Sequence, residues 1–595
     1  MERILASNLK ERIGEKISVR GWLQNSRIMG KLAFLVIRDR TGLAQIVIEN
    51  QDTIKMISPL QPGSVIYVSG VVSENEKSGL GVEIINPEIS IVSKVTESMP
   101  LEVNKEDLNA HIDTILDYRP LSLRNLKIQA VFKIQATLVR AYREYLTNLG
   151  FTEFFGPNII GASSEGGAEL FKVDYFGSDA MLSQSAQLYK QIAVGAYERV
   201  FALMKCYRAE KSNTRRHLTE ATQFEFEMGF IDDFSEVMDM LEGVVKSMIS
   251  EIATNNDQEL KLLGVSLALA PQDIAFPRVT FKDALQIFFE RTGIDERGEI
   301  DLSPQAEKEL CAYAREQFGT DFIFVTHFLR KKTAFYAKPN EDNPEVTNYF
   351  DLLCREIEIV SGGQRINDHD ELVESLKLKG LNPDSFQDYL SIFKFGMPPH
   401  GGFGMGMERF TMMALGLDNI RMATLFPSDT RRIASVKRQE KIYIGAELGR
   451  NILKRLDAYN TTYRVVEHEP VTTSEEAAKV RGTSIEDGIK ALILRNKKSG
   501  ENIMVCIPAN DKVDFNQLAV FTGAKFEFES KEVIASKYAL EAGGIPPFGN
   551  LMGLRVIFSD KIKQLETIAF NNGSLSSSVI MSAKDLIDTV DPEFF

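Results

Sequence analysis

Apolar and polar residues alternate in five short runs before residue 95: "KISVRGWLQNSR", "LAFLVIRDRTG", "LAQIVIEN", "SVIYVSGVVS" and "VEIINPEISIVS". A period of two punctuated by turn residues predicts five strands and a small closed barrel of the OB type, an architecture that binds single-stranded nucleic acid or sugar. Within it Phe34 and Gln45 can each face core or solvent. "EVNKEDLNAHIDTILDYRPLSLRN" is polar and rich in turn residues and reads as a hinge. "IQAVFKIQATLVRAYREYLTNLGF" carries helical spacing that stops at Gly150, and the extended "TEFFGPNII" follows. From there to residue 435, strands and helices mix in the manner of an antiparallel sheet flanked by helices. "KRQEKIYIGAELGRNILKRLDAYN" reads as a helical connector, and the last stretch, about 140 residues, is long enough for its own core.

Two runs in the middle put chemistry on one face of a sheet. In "VFALMKCYRAE" a strand sends Met204, Cys206, Arg208 and Glu210 one way and Phe201, Leu203, Lys205 and Tyr207 the other. In "QFEFEMGF" it sends Gln223, Glu225 and Glu227 forward with Phe224, Phe226 and Met228 behind. The two read as an antiparallel hairpin whose connecting loop carries Arg215, Arg216 and His217. Guanidinium groups grip phosphate oxygens in a planar, bidentate way, so this face is equipped for a polyphosphate and its metal, the bland alternative being a solvated sheet face. In "SQSAQLYKQ", Gln187 and Lys190 lie three apart and share one side of a helical turn. "REIEIVSGGQRIND" is read with Glu356 and Glu358 on one strand face, a turn at Ser361 to Gly363, and Arg365 after it. "GGFGMGMERFTMMALGL" runs from a glycine-rich strand into a helix with Glu408 and Arg409 in its first turn, where the backbone favours anions.

Composition narrows the setting. A chain of 595 residues is too long for one core, and 44% hydrophobic with 26% charged residues is ordinary for a globular protein. No signal-like or membrane-length apolar run occurs, and Cys206, Cys311, Cys354 and Cys506 have no metal spacing; both suit a reducing cytoplasm. A net charge of -14 argues against a general nucleic-acid coat or an anionic membrane surface, and leaves room for one local docking face.

In this order the segments resemble the class II aminoacyl-tRNA synthetases, the archaeal-type aspartyl enzymes in particular. "GFTEFFGPNII" looks like motif 1, with Pro157 at the family's dimer interface; "CYRAEKSNTRRHLTEATQFEFEMGF" resembles motif 2; "GGFGMGMERF" with "NIRMATLFPSD" resembles motif 3. The resemblance implies ATP and Mg²⁺, with Arg208 and Arg409 as catalytic arginines on the α- and γ-phosphates. Glu210, Arg216, His217 and Leu218 would complete the ATP site, and Glu358 and Ser361 would hold Mg²⁺. For L-aspartate it implies Arg365 and Lys190 on the side-chain carboxylate. Glu165, Gln187, Arg208 and Ser361 would stand nearby, and Glu225 would meet the ammonium. Departures from the pattern are Glu225 for the usual Asp, Ala221 for an adenine-stacking Phe, Ala186 for Pro and Ser428 for Arg.

The barrel resembles the family's anticodon-binding domain, with Arg27, Phe34 and Gln45 on the anticodon. The implied partners are tRNA(Asp) and a second copy of the chain. Gln24, smaller than expected in a strict enzyme, keeps tRNA(Asn) open as a further acceptor. The last segments, "HEPVTTSEEAAKVRG", "GIKALILRN" and "GGIPPFG", resemble the YbaK/ProX editing family. Lys490 would meet the terminal phosphates of tRNA, and the loop containing Gly544, Pro546 and Gly549 would form the pocket. An active hydrolase of alanyl, seryl or prolyl esters and a remnant kept for tRNA binding both fit that resemblance. The expected fold is thus a multidomain α+β chain: an OB barrel over 1–100, a hinge over 101–130, and an antiparallel-sheet catalytic domain over 131–435. A helical linker over 436–455 and a YbaK-like α/β domain over 456–595 complete it. The competing readings are asparagine–tRNA ligase, a synthetase-like asparagine synthetase, and a non-catalytic tRNA-binding protein, which would have no need of Arg208, Arg216 and Arg409.

Overall fold

The computed structural model describes residues 2–161, 169–210, 214–437, 442–459, 461–471 and 473–595. The chain divides into two compact units, Met1–Lys437 and Arg438–Phe595. The first begins with a barrel of five strands: β1 (Lys16–Met29), β2 (Leu32–Arg38), β3 (Leu43–Ile48), β4 (Val65–Glu74) and β5 (Val82–Ser93), closed in the order β1-β2-β3-β5-β4. Alternate residues such as Val19, Leu35, Ile46 and Ile66 fill the interior, as the period of two requires.

The rest of this unit is built on an eight-stranded sheet. In chain order its strands are β6 (Thr152–Glu153), β7 (Arg199–Tyr207), β8 (Glu220–Gly229), β9 (Arg278–Thr280), β10 (Phe322–Thr326), β11 (Tyr349–Cys354), β12 (Ile357–Arg365) and β13 (His400–Gly406). Their spatial order is β9-β10-β11-β12-β13-β8-β7-β6, antiparallel except for the outermost pair at each edge. The back of the sheet carries Phe201, Phe224 and Phe226, which pack with helices α1 (Leu126–Asn148) and α3 (Ser235–Asn255) into one core. Between these two lies α2 (Gln187–Tyr197), followed later by α4 (Pro304–Phe318) and α5 (Met407–Leu415). Asn125 caps α1 by accepting from the N–H groups of Lys127 and Ile128, and the left-handed Gly150 turns the chain away after it.

One stretch departs from the alternation expected of it. Arg355 and Glu356 form the turn between β11 and β12, Arg355 with φ of 59°, so Glu356 does not share a strand face with Glu358. Ser361, Gly362 and Gly363 are not a turn; they lie in mid-strand. A Cβ on Gly362 would come within 2.7 Å of the Gly402 carbonyl oxygen and 2.6 Å of the Phe350 ring. These glycines therefore serve close strand approach rather than reversal.

The second unit holds a five-stranded sheet and a three-stranded one. Its strands and first two helices, in order, are α6 (Ala446–Ala458), β14 (Tyr463–Glu467), α7 (Ser474–Arg481), β15 (Ile489–Asn496), β16 (Asn502–Pro508), β17 (Phe526–Phe528), β18 (Arg555–Phe558), β19 (Thr567–Asn571), β20 (Ser577–Ser582) and β21 (Glu593–Phe594); three further helices span Phe515–Thr522, Lys531–Tyr538 and Ala583–Val590. The strand orders are β17-β15-β16-β18-β21 and β14-β20-β19. Leu448, Ile452 and Leu456 of α6 are fully buried in this unit's core, so the helix expected as a connector is a structural member of the second unit.

Candidate active site

The hairpin β7-β8 delivers its charged face to a cavity of about 290 Å³. Ala202 pairs with Glu225 and Met204 with Gln223 across the two strands, which aligns the even-numbered side chains of β7 with the odd-numbered ones of β8 on the side away from the phenylalanine core. From α2, Gln187 and Lys190 both reach the same cavity, as their three-residue spacing requires. Its cationic lining is Lys190, Arg208, Arg216, Arg365 and Arg409; its carboxylates are Glu225, Glu358 and Glu408. Five cations against three acids make the hollow locally positive in a chain of net charge -14, as a polyphosphate demands.

At its floor the charges are paired. Lys190 Nζ donates to Glu225 Oε2 at 2.9 Å and to the Phe403 carbonyl at 2.9 Å, and lies 3.3 Å from Glu227 Oε2. Arg365 Nε donates to Glu227 Oε1 at 2.9 Å and its Nη2 to the Gly402 carbonyl at 2.9 Å. All four side chains are at most 2% exposed. Burial raises the Glu227 carboxyl, but Arg365 and Lys190 outweigh it and hold the group below its ordinary value, so Glu227 stays ionised. Gly402 and Gly404 leave the room: a Cβ at 402 would collide with the Glu227 carboxylate, and one at 404 would touch Glu225 at 3.4 Å. The extra methylene of Glu225, relative to the usual Asp, carries its carboxylate to Lys190. Glu227 was seen from the sequence only as a member of the charged face, and its buried partnership came from the fold.

At the mouth, Arg409 in the first turn of α5 donates to the Glu358 carbonyl at 2.9 Å and lies 3.8 Å from its carboxylate. Ser361 Oγ donates to Glu358 Oε1 at 2.8 Å. Residues three apart on a regular strand face opposite ways; a register shift where Leu352 pairs Val360 and Leu353 pairs Glu358 brings these two together. Arg216 lies 3.6 Å from Glu307 of α4. Burial, with Glu358 nearby, pushes the Glu307 carboxyl up to about 7 against the pull of Arg216 and Arg409. His217 is lowered by burial and by Arg409, Arg208, Arg216 and Arg421, so it is neutral at pH 7. The loop bearing these residues is hooked to the segment after α5: Ile420 N donates to Arg215 O at 3.0 Å, and Arg421 Nη1 to Thr214 O at 3.1 Å. Leu218, Ala221, Ile359 and Ile420 form an apolar wall. Burial pushes the Cys206 thiol up to about 12, so it is no nucleophile.

Not every expected residue joins this cavity. Glu210 follows Arg208 but does not line it, and Glu165 lies outside the described residues. Pro157 is exposed in the loop after β6, between Phe155, 81% exposed, and Ile159, 47% exposed. On the barrel, Arg27 pairs directly with Phe34 across β1-β2, and Gln45 of β3 pairs with Val36; all three stand on the outer face. Gln45 Nε2 donates to Glu83 Oε2 at 3.1 Å, and Gln24 Nε2 to the Asn104 carbonyl at 3.0 Å.

The second unit has its own cavity, of about 350 Å³, lined in part by Lys490, Gly543, Ile545 and Asn571. Gly544 and Pro546 are buried beside it without lining it, and Gly549 packs in the core, where a Cβ would meet Met504 and Val556 at 2.9 Å.

The arginine-lined cavity on one face of an antiparallel sheet, fed by a glycine-rich strand and a helix N-terminus, is that of a nucleotide-activating enzyme. Residues 111–430 match the family described as tRNA synthetases class II (D, K and N), and the chain belongs to it. Residues 17–92 match the OB-fold nucleic acid binding domain, and residues 468–589 the aminoacyl-tRNA editing domain. Among relatives, the chain is 44% identical to the aspartate–tRNA(Asp/Asn) ligase of Thermus thermophilus over 72% of this chain and 99% of that one. It is 41% identical to the aspartate–tRNA(Asp) ligase of Pyrococcus abyssi over 71% and 96%. Among solved structures, asparaginyl-tRNA synthetase from Pyrococcus horikoshii with asparaginyl-adenylate aligns with a TM-score of 0.67 at 32% identity, covering 73% of this chain and 99% of that one. Aspartyl tRNA synthetase from Entamoeba histolytica aligns with a TM-score of 0.65 at 28% identity, over 73% and 93%. Family membership makes ATP the activating substrate. Among the described residues no helix is long and apolar enough to cross a membrane.

Proposed function

We propose that the chain is an aspartate–tRNA ligase whose second unit deacylates mischarged tRNA. The observation that carries the first part is the buried set Lys190, Arg365, Glu225 and Glu227 at the floor of the positive cavity. Aspartate brings a side-chain carboxylate for Lys190 and Arg365 and an ammonium for Glu225, so each charge it buries meets an opposite one. Asparagine would offer only a neutral amide to those cations.

Activation is attack of the substrate's α-carboxylate on the α-phosphorus of ATP, with pyrophosphate leaving. Arg208 neutralises the α-phosphate, Arg409 and Arg216 the outer phosphates, and the apolar wall takes the adenine; the step is positioning and charge stabilisation. The terminal ribose 3′-hydroxyl of tRNA then attacks the acyl carbon and releases AMP. Among the described residues no three His, Cys, Asp or Glu side chains form a metal cage. Mg²⁺ binds through one or two carboxylates with waters and phosphate oxygens, so Glu358 and Ser361 fit as its protein ligands, and the ion would offset phosphate charge there.

Arg27, Phe34 and Gln45 belong to the anticodon face in this reading, tRNA(Asp) is the acceptor, and Pro157 with its exposed neighbours lies in a homodimer interface. The test is pyrophosphate exchange with aspartate and with asparagine, then charging of separate tRNA(Asp) and tRNA(Asn) transcripts. Exchange driven by asparagine in preference would refute it, and charging of tRNA(Asn) would make the enzyme a dual-specificity one.

A further inference from the structure

The cavity of the second unit contains a cation, Arg481, that lies within the segment "HEPVTTSEEAAKVRG" but to which the sequence assigned no role. Arg481, the last residue of α7, is 7% exposed and lines the cavity with Ala477 and Ala478 of the same helix. Its Nε donates to Ser578 Oγ at 2.8 Å and its Nη2 to Asn571 Oδ1 at 2.5 Å. Both partners are locked from behind. Ser578 Oγ donates to Asn571 Oδ1 at 3.1 Å and meets His468 Nε2 at 2.7 Å, and Asn571 Nδ2 donates to the Gly543 carbonyl. The guanidinium is therefore rigidly aimed, and its side-chain partners, Ser578 and Asn571, are neutral. Among the described residues no carboxylate forms an ion pair with it, and burial alone lowers its pKa to about 10.

A buried guanidinium without a counter-charge is costly, and an anion entering the cavity would offset that cost. The lysines at the same cavity, Lys490 and the exposed Lys531, are less enclosed than Arg481 and suit the phosphates at the end of tRNA. Among the described lining residues the one carboxylate, Glu529, is occupied by Asn502 Nδ2 at 2.7 Å. What remains for the planar donor fork of Arg481 is a carboxylate on the acyl group itself.

We propose that Arg481 is the side-chain carboxylate receptor of an acyl pocket, so that the ester this unit removes carries an acidic side chain: aspartyl, the product of the first unit, on an acceptor that should not bear it. The inference rests on the reading of the second unit as a deacylase. In that reaction water adds to the acyl carbon and the bond from that carbon to the ribose 3′ oxygen breaks. The water's proton ends on the ribose oxygen, and aspartate and free tRNA leave, with no redox partner required.

The test uses full-length protein without ATP or AMP, so that recharging is silent, and preformed aspartyl, asparaginyl and alanyl esters of tRNA(Asn). The aspartyl ester is expected to be hydrolysed about tenfold or more faster than its asparaginyl isostere. Arg481→Gln should level that ratio while alanyl hydrolysis persists, and Arg481→Lys should retain part of the preference. Equal aspartyl and asparaginyl rates, or an alanyl preference that Arg481→Gln leaves unchanged, would overturn the assignment.

A second arm measures wild-type affinity for hydrolysis-resistant 3′-aspartylamino- and 3′-asparaginylamino-adenosine, with the first cavity saturated by a sulfamoyl analogue of aspartyl adenylate. These probes carry no phosphate, so tighter binding of the aspartyl form locates the recognised anion on the side chain. Adding a 5′-phosphate to both probes separates the other source. A gain from phosphate that vanishes in Arg481→Gln, with no aspartyl preference, means Arg481 reads tRNA phosphate and ends the proposal. Binding preference without hydrolysis of any ester would leave the acyl pocket standing and refute the deacylase reading instead.

Discussion

The two cavities hold buried arginines in opposite electrostatic states. Arg365 at the floor of the first is gripped by Glu227, with Lys190 and Glu225 completing a neutral square. Arg481 in the second is gripped as firmly by Ser578 and Asn571, which bring no charge. A paired cation is a fixed part of the wall and reads a ligand by exchange of partners. An unpaired one is held at a free-energy cost that only an arriving anion relieves. The first arrangement suits a site that must hold its shape through a multi-step reaction, the second one that discriminates by a single charge.

The largest effect should come from Arg365→Leu, which leaves Glu227 and Glu225 to share Lys190 alone in the interior: a loss of about 3–5 kcal/mol of stability in chemical denaturation, with aspartate-dependent exchange abolished. If stability falls by less than a third of that, Glu227 is not held by Arg365 as the geometry indicates. Arg409→Ala touches no buried pair and should cut aspartate-dependent pyrophosphate exchange by about 10²–10³-fold while tRNA binding in a filter assay stays intact. Arg481→Gln removes a charge whose partners are neutral, so the expected stability loss is smaller than for Arg365→Leu, about 1–2 kcal/mol. A loss as large as that of Arg365→Leu would erase the contrast between the cavities.

The smallest effect concerns Glu307. Its carboxyl is pushed up to about 7, so below that pH it is neutral and leaves Arg216 to the phosphates; above it, the carboxylate competes for Arg216. KM for ATP should therefore rise about two- to threefold as pH increases through 7, and Glu307→Gln should flatten the profile. A slope that survives the substitution assigns the titration elsewhere.

The period-two runs made the barrel strands and the charged face of β7-β8 legible because alternation is a local property of the chain. Glu358 and Ser361 were legible only through resemblance, since their spacing puts them on opposite faces of any regular strand and the register shift that reunites them is set by pairing with β11. The Ser361 to Gly363 stretch misled for a related reason: glycines that open a turn and glycines that admit a neighbouring strand look alike until the neighbour is known. Arg481 gave less signal still, one of two cations, with Lys479, in the last turn of α7, and nothing local tells which of them is buried.

By itself the sequence determined the local elements, the sidedness of each strand and helix, and the supply of arginines for phosphate, because these follow from residue spacing and side-chain chemistry. Only the tertiary structure decided which charges meet. Lys190, Glu225, Glu227 and Arg365 come from three separate elements, and Arg481, Asn571 and Ser578 from three others. Whether a buried cation is paired depends on what the fold brings within about 3–4 Å of it, and at that range the pairing, rather than the residue type, sets the charge a ligand must bring.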